Sequence, residues 1–261
     1  MSQTDFNKQN QSFFDFVKGL LAARWQSLLL LLIGIYLPLQ IFGLLARAVL
    51  ESKGGFPFPW DVPILKAVHS TAGAQLDAIA VVLTKFGSAK FMFPAIGFLG
   101  LLLLLQQRLR SLTFLLTTTI GSAIINRTAK EFMHRVRPHL WDSLAPELDF
   151  SFPSGHSMMS MTLVASLVVL TWGTIWSWVI LIAGSFFVVA IGWTRLYLGV
   201  HFPSDIFAGW MVSIAWVIGV SLIIKPHVTK KTAVTEAPTA EETTLLPEEK
   251  QILKEKSVTD G

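Results

Sequence analysis

Three short segments of the sequence carry side chains of the types that act on phosphate esters. They run from Lys130 to Pro138, from Pro153 to His156 and from Arg195 to Asp205. Their candidate groups are three cations, two imidazoles and one carboxylate, namely Lys130, Arg137, Arg195, His156, His201 and Asp205. Cations hold phosphoryl oxygens, and an imidazole oriented by a carboxylate can attack phosphorus while a second imidazole protonates the leaving alkoxide. The inventory therefore indicates phosphate-ester cleavage through a phosphohistidine.

The first segment places Lys130 seven residues before Arg137. Seven residues are almost two turns of an α-helix, so we expect both side chains on one face of a helix that Pro138 ends. Two cations in that position can clamp phosphoryl oxygens, and the guanidinium can do so with two parallel hydrogen bonds. The alternative is that both side chains only anchor the helix at a membrane surface.

The second segment, Pro153-Ser154-Gly155-His156, predicts the start of a helix, because Ser154 is a good N-cap. The free N–H groups at a helix start bind anions, and Gly155 allows the backbone to approach a phosphate closely. His156 is then placed to act as a general acid. The alternative is a capped helix with a histidine at the membrane interface.

The third segment places His201 four residues before Asp205. This spacing suits a carboxylate that accepts a hydrogen bond from the imidazole Nδ1–H and leaves Nε2 basic, which is the arrangement of an activated nucleophile or base. Arg195 can offer a third cation to the developing negative charge. One alternative is a His–Asp pair that only braces a loop. Another is a metal site, which Lys130, Arg137 and Arg195 would disfavour by repelling a divalent cation.

The composition indicates an integral membrane protein. The chain has 261 residues, of which 52% are hydrophobic and 15% charged, whereas soluble domains carry about 25% charged residues. The net charge of +4 comes from cations scattered at the ends of apolar runs, so we expect no nucleic-acid partner. The chain has no cysteine, which excludes disulfides and thiolate metal sites.

Six apolar segments approach the length of a membrane-spanning helix, which is about 20 residues. They are residues 26–50, 90–107, 110–131, 155–173, 176–197 and 202–224. Residues 62–86 are interrupted by charges, so we expect one or two interfacial helices there. The sequence thus predicts an all-α fold, a six-transmembrane-helix bundle with interfacial helices between the first and second spans. Six crossings put all three segments on one side of the membrane.

The chain divides into three parts. Residues 1–25 predict a cytoplasmic N-terminal segment, residues 26–224 a six-helix membrane domain, and residues 225–261, rich in Lys, Glu, Thr and Pro, a disordered cytoplasmic tail. Lysines and arginines concentrate before the first span, between the second and third, and after the sixth. By the positive-inside rule we expect both termini inside and the candidate site outside.

Taken together, the three segments resemble the signature of the type 2 phosphatidic acid phosphatase superfamily, K-x6-R-P, P-S-G-H and S-R-x5-H-x3-D. The likeness covers roughly residues 90–224. The matching residues are Lys130, Arg137, Pro138, Pro153, Ser154, Gly155, His156, Arg195, His201 and Asp205. One position departs, since the family serine is Thr194 here, which keeps the hydroxyl.

The resemblance implies a six-helix membrane core with an exoplasmic active site, no metal and no cofactor. It implies that His201 attacks phosphorus, that Asp205 orients it, and that His156 protonates the leaving group and later activates water. The phosphoryl oxygens would be held by Lys130, Arg137, Arg195, Ser154 and the Gly155 N–H.

We therefore expect a lipid phosphatase of a bacterial inner membrane. The expected substrates are phosphatidic acid, phosphatidylglycerophosphate or undecaprenyl diphosphate, with no obligatory protein partner. The alternatives are a lipid phosphotransferase that passes the phosphoryl group to an alcohol, and a non-catalytic protein that binds lipid phosphates.

Overall fold

The computed structural model describes Trp25 and residues 28–53, 55–56 and 58–226, and within these ranges it contains helices and no strand. The described helices are α1 (Leu28–Glu51), α2 (Asp61–His69), α3 (Ala74–Phe86), α4 (Ala89–Leu105), α5 (Leu109–Met133), α6 (Gly155–Leu170), α7 (Ile175–Tyr197) and α8 (Pro203–Ile224). The all-α prediction is confirmed for this part of the chain. The predicted N-terminal segment, apart from Trp25, and the predicted tail from residue 227 onward lie outside the described residues.

Three described helices, α1, α7 and α8, are long and apolar enough to cross a membrane by themselves. Helices α3 and α4, which meet at an angle of 44°, pass the same test only as a bent pair. The described helices therefore supply three or four candidate spans where the sequence predicts six. Helix α6 has only 16 residues, and α5, with 25 residues, carries more polar side chains than its neighbours.

Four hydroxyl side chains of α5 are buried in the interior of the bundle. Thr162 of α6 donates a hydrogen bond to Ser122 at 2.9 Å, and Ser166 donates one to Thr118 at 3.0 Å. Hydroxyl bonds of this kind join helices where water is absent. Helix α5 is therefore a central helix, and its interior contacts account for its modest hydropathy.

The outer surfaces of the bundle are apolar. Leu44 of α1, Phe98 of α4 and Phe186 of α7 are all well exposed, and many other large apolar side chains share this exposure. A continuous apolar exterior marks a surface that lipid covers. The chain is an integral membrane protein.

The ends of four helices carry the three predicted segments. Helix α5 ends at Met133 because His134 adopts the left-handed conformation, with φ of 48°. The prediction that Lys130 and Arg137 share a helix ended by Pro138 is therefore wrong. The chain leaves the helix early, and this places Arg135 in a buried ion cluster and Arg137 beside His201.

Candidate active site

The three predicted segments meet at one end of the bundle, where α5 and α7 end and α6 and α8 begin. The Ser154 N–H donates to the Asp205 carbonyl oxygen at 3.1 Å, which ties the start of α6 to the start of α8. Arg137 donates to the Val200 carbonyl oxygen at 2.7 Å, which ties the segment after α5 to the loop after α7. The structure thus brings together groups that lie up to 75 residues apart, from Lys130 to Asp205.

His201 lies fully buried in the loop between α7 and α8, with one partner on each ring nitrogen. Arg137 Nη1 lies 3.0 Å from Nε2, and Asp205 Oδ2 lies 3.4 Å from Nδ1. A guanidinium only donates, so this network assigns the lone pair to Nε2 and the proton to Nδ1. Burial and the charge of Arg137 lower the pKa of the His201 imidazole, although Asp205 and Glu147 oppose them. Both the Arg137 donor and the lowered pKa favour the neutral ring, with the lone pair on Nε2.

The three predicted cations form what we call the cation cluster, Lys130, Arg137 and Arg195. Lys130 and Arg195 are buried, and Arg195 Nη1 donates to the Thr84 hydroxyl at 2.5 Å. Arg137 lies between the loop after α7 and the loop before α6. Three cations this close together attract anions strongly, because the low dielectric around Lys130 and Arg195 strengthens their charges.

The second segment has the predicted cap geometry. The Ser154 hydroxyl accepts from the Ser157 N–H at 3.4 Å, and helix α6 begins at Gly155. Asn126 of α5 donates to the Pro153 carbonyl oxygen at 3.0 Å and holds the segment from the other side. A side chain at residue 155 would meet Asn126 Oδ1 at 3.2 Å, so glycine suits this close approach. His156 extends from the first turn and lies close to Glu147.

A second ion cluster, which sequence reasoning missed, lies behind Asp205. Arg135 donates to Asp205 Oδ1 at 2.6 Å and to Asp61 Oδ2 at 2.7 Å, and all three side chains are completely buried. Asp61 also accepts from the Ser204 N–H at 3.0 Å and from the Ser204 hydroxyl at 2.6 Å. We call Asp61, Arg135 and Asp205 the buried ion triad. It fixes the carboxylate that contacts His201 and ties α2 to the start of α8.

Sequence reasoning also missed two acidic residues of the loop before α6, Glu147 and Asp149, which we call the loop carboxylates. Glu147 pairs with Arg195 and Arg137, and Asp149 pairs with Lys130 at 2.5 Å and with Arg137. Burial raises the pKa of the Glu147 carboxyl, but the nearby His201 and the charges of Arg195 and Arg137 outweigh it and hold the pKa well below its usual range. Burial also raises the pKa of the Asp149 carboxyl, but Lys130 and Arg137 outweigh this effect, so the pKa is lowered. Glu147 and Asp149 are therefore both ionised.

A signal for these missed residues was present in the sequence. The loop between the first two segments carries acids on the side of the membrane where the cations were predicted, and Arg135 shares the first segment with Arg137. What spacing does not reveal is which acid faces which cation. In the part of the chain that the structure describes, no three His, Asp or Glu side chains converge as a metal site.

Comparisons with known proteins identify relatives of this chain. The profile of the PAP2 superfamily matches residues 111–228. An undecaprenyl-diphosphatase of Sulfolobus acidocaldarius is 29% identical over 191 residues, which are 71% of this chain and 82% of that protein. Phosphatidylglycerophosphatase B of Bacillus subtilis is 30% identical over 162 residues, which are 59% of this chain and 78% of that protein.

Two solved structures share the fold. The crystal structure of a transmembrane PAP2-type phosphatidylglycerolphosphate phosphatase from Bacillus subtilis has a TM-score of 0.63 at 24% identity, and the match covers 76% of this chain and 100% of that chain. The crystal structure of Aquifex aeolicus LpxE has a TM-score of 0.54 at 24% identity, covering 62% of this chain and 95% of that chain. At this identity the likeness supports the helical architecture.

Proposed function

The chain belongs to the PAP2 superfamily and is a lipid phosphatase, and from this premise we propose that it hydrolyses lipid phosphate monoesters or diphosphates through a phosphohistidine at His201. The substrates we propose are of the phosphatidic acid, phosphatidylglycerophosphate or undecaprenyl diphosphate type. The names of the two relatives support the last two classes. A lipid substrate also fits a site at the end of helices whose outer surface is apolar.

One observation carries the mechanism, which is the hydrogen bonding of His201. Nε2 accepts from Arg137 and Nδ1–H faces Asp205, so the lone pair lies beside a cation that binds phosphoryl oxygens. Nε2 attacks phosphorus, a bond forms between nitrogen and phosphorus, and the bond from phosphorus to the ester oxygen breaks. Asp205 stabilises the positive imidazolium that forms. This is the role of a carboxylate in a nucleophile–orienter pair.

We assign the two proton transfers to His156, and its place in the first turn of α6, near Glu147, supports this role. It donates a proton to the departing alkoxide and then takes one from the water that attacks the phosphohistidine, so that inorganic phosphate leaves and both imidazoles return to their starting states. The cation cluster, the Ser154 hydroxyl and the Gly155 N–H hold the phosphoryl oxygens during both steps.

The proposed reaction needs no metal ion and no cofactor. Each carboxylate near the two histidines already pairs with an arginine or a lysine, and this donor set suits an anion better than a divalent cation. Three cations supply the charge stabilisation that a metal would supply in other phosphatases.

We further propose that α1 and α4–α8 make six crossings of a bacterial inner membrane, with α2 and α3 at the interface. The helix order then puts the ends of α5 and α7 and the starts of α6 and α8 on one side, and the positive-inside rule makes that side exoplasmic. A reporter at either terminus that reacts only from outside the cell would contradict this orientation.

The experiment that tests the reaction measures phosphate release by detergent-purified protein in excess EDTA. The substrates are phosphatidic acid, phosphatidylglycerophosphate and undecaprenyl diphosphate. We expect release that survives EDTA and is abolished in His201→Ala, with an acid-labile and alkali-stable phosphoenzyme trapped only when His201 is present. His139→Ala, which replaces an exposed histidine of the loop, serves as the matched control.

Two outcomes would contradict the proposal. Activity that disappears with EDTA and returns with a divalent cation would indicate a metal-dependent reaction. Near-normal turnover by His201→Ala would show that another group attacks phosphorus. Phosphoenzyme that forms but transfers to an added alcohol rather than to water would instead indicate the phosphotransferase reaction.

A further inference from the structure

Glu147 occupies the centre of the proposed phosphate site, although the proposed mechanism gives it no task. Its carboxylate contacts Arg195, lies 2.7 Å from Arg137, and approaches His156 Nδ1 at 3.6 Å and His201 Nε2 at 3.8 Å. These four residues are the groups that would surround a bound phosphoryl group. The Glu147 carboxylate and a phosphoryl group therefore compete for the same partners.

The charges support this reading. The cation cluster carries three positive charges, and the loop carboxylates carry two negative charges against them. Two carboxylates together equal the charge of one phosphate dianion. A dianionic headgroup that displaces both leaves the net charge of the site unchanged, so the exchange avoids the penalty of a bare cation cluster.

The fit of Glu147 to Arg195 is incomplete. Arg195 Nη2 contacts Glu147, but the neighbouring Nε–H, on the same edge of the guanidinium, is buried without a hydrogen-bond partner. A phosphoryl group can accept from both donors of that edge at once. A phosphate ligand thus satisfies a donor that the carboxylate leaves unpaired, which makes Glu147 replaceable.

The loop can release the two side chains. Glu147 is 26% exposed and Asp149 is 49% exposed, whereas Lys130 and Arg195 are buried. Leu148, between the two acids, is fully exposed, so its side chain adds no packing that would fix the loop. The acids lie at the solvent side of the site and the cations at its base.

We propose that Glu147, assisted by Asp149, is an internal competing ligand that fills the phosphate site of the empty enzyme and helps to expel inorganic phosphate after hydrolysis. The inference rests on the proposed function and concerns the same site. A protein whose binding-competent state is only partly populated binds every ligand more weakly by that fraction. Glu147 therefore weakens substrate and product alike and keeps released phosphate from trapping the enzyme.

The test compares Glu147→Gln, which keeps the shape and removes the charge, with wild-type protein. We expect the KM for phosphatidic acid and the inhibition constant of inorganic phosphate each to fall about tenfold, which equals about 1.4 kcal/mol. We expect kcat to stay level or fall as phosphate release slows. A residue that only supported the loop would change stability and kcat without tightening phosphate. Glu131→Gln, at an exposed ion pair with Arg127 on α5, is the matched control.

A second measurement separates this inference from the proposed function. Calorimetric titration with inorganic phosphate requires no turnover. Tighter phosphate binding in Glu147→Gln would support the inference even if no lipid phosphate were hydrolysed. Unchanged binding in an active Glu147→Gln enzyme, or no detectable phosphate binding by either protein, would overturn the inference. Glu147→Ala serves the same comparison if the glutamine variant fails to fold.

Discussion

Two ion clusters meet at His201, and they are built in opposite ways. The buried ion triad of Asp61, Arg135 and Asp205 is completely shielded from solvent, and its acids are further held by the Ser204 and Phe202 backbone N–H groups. The cation cluster is matched by the loop carboxylates, which come from a partly exposed loop. Both clusters neutralise arginine with acid, yet only one of them can exchange its acids for a ligand.

The difference shows that pairs of a cation and a carboxylate can serve two purposes in one protein, according to how deeply they are buried. A buried pair that loses one partner leaves an uncompensated charge in a low dielectric, so the triad is fixed. A pair with a partly exposed acid loses less when it opens, because water solvates the acid and an incoming anion can neutralise the cation. In the proposed mechanism the fixed cluster orients His201, and the exchangeable cluster receives the anion.

The largest expected effect concerns Asp205, which links the buried ion triad to the proposed reaction. Asp205→Asn should lower kcat by about 10³–10⁴-fold, because asparagine no longer favours the His201 tautomer with the proton on Nδ1 or stabilises the imidazolium. Phosphate release from purified protein measures it. Asp142→Asn, at an exposed acid of the loop before α6, is the control. A loss of kcat of less than tenfold would show that the triad does not contribute to the proposed reaction.

The next effect tests whether the triad is fixed. Arg135→Met should lower the free energy of unfolding by about 3–5 kcal/mol, because Asp61 and Asp205 would remain buried without a cation. Thermal unfolding in detergent, followed by tryptophan fluorescence, measures it. Arg47→Met is the matched control, since Arg47 forms an exposed pair with Glu51. Equal unfolding temperatures for the two variants would contradict the comparison.

The smallest effect tests whether the loop carboxylates are exchangeable. Asp149→Asn should lower the free energy of unfolding by less than the about 3–5 kcal/mol expected for Arg135→Met, because Asp149 is half exposed although its partner Lys130 is buried. The same unfolding measurement applies, with Glu51→Gln as the control at an exposed pair. A loss as large as that of Arg135→Met would mean that the loop is part of the fixed structure.

The sequence predicted local contacts of the candidate site better than it predicted the number of candidate spans. His201 and Asp205 were paired correctly because four residues at a helix start leave few arrangements, and Ser154 was predicted as an N-cap because hydroxyl caps follow a local rule. The number of spans was harder to predict, because α5 buries polar side chains against α6 and has less of the apolar signal that marks a span.

The misplaced end of α5 has a different cause. Proline is a strong helix breaker, so Pro138 was the natural choice, but His134 ends the helix four residues earlier. The reason lies in tertiary contacts of Arg135 with Asp61 and Asp205, which are 74 and 70 residues away in sequence. Contacts of that range, like those of Glu147, have no local pattern.

The link between Asp61 and Ser204 also sets an order of events during synthesis. Asp61 precedes its partner Ser204 by 143 residues. At about 5–20 residues per second, the ribosome needs roughly 7–30 s to supply that partner. Arg135 is synthesised about halfway through this interval, 74 residues after Asp61, but Ser204 and Asp205 of α8 come only at its end. The buried ion triad can therefore form only when α8 has been inserted, and a chain truncated before α8 leaves Arg135 and Asp61 without Asp205 and Ser204.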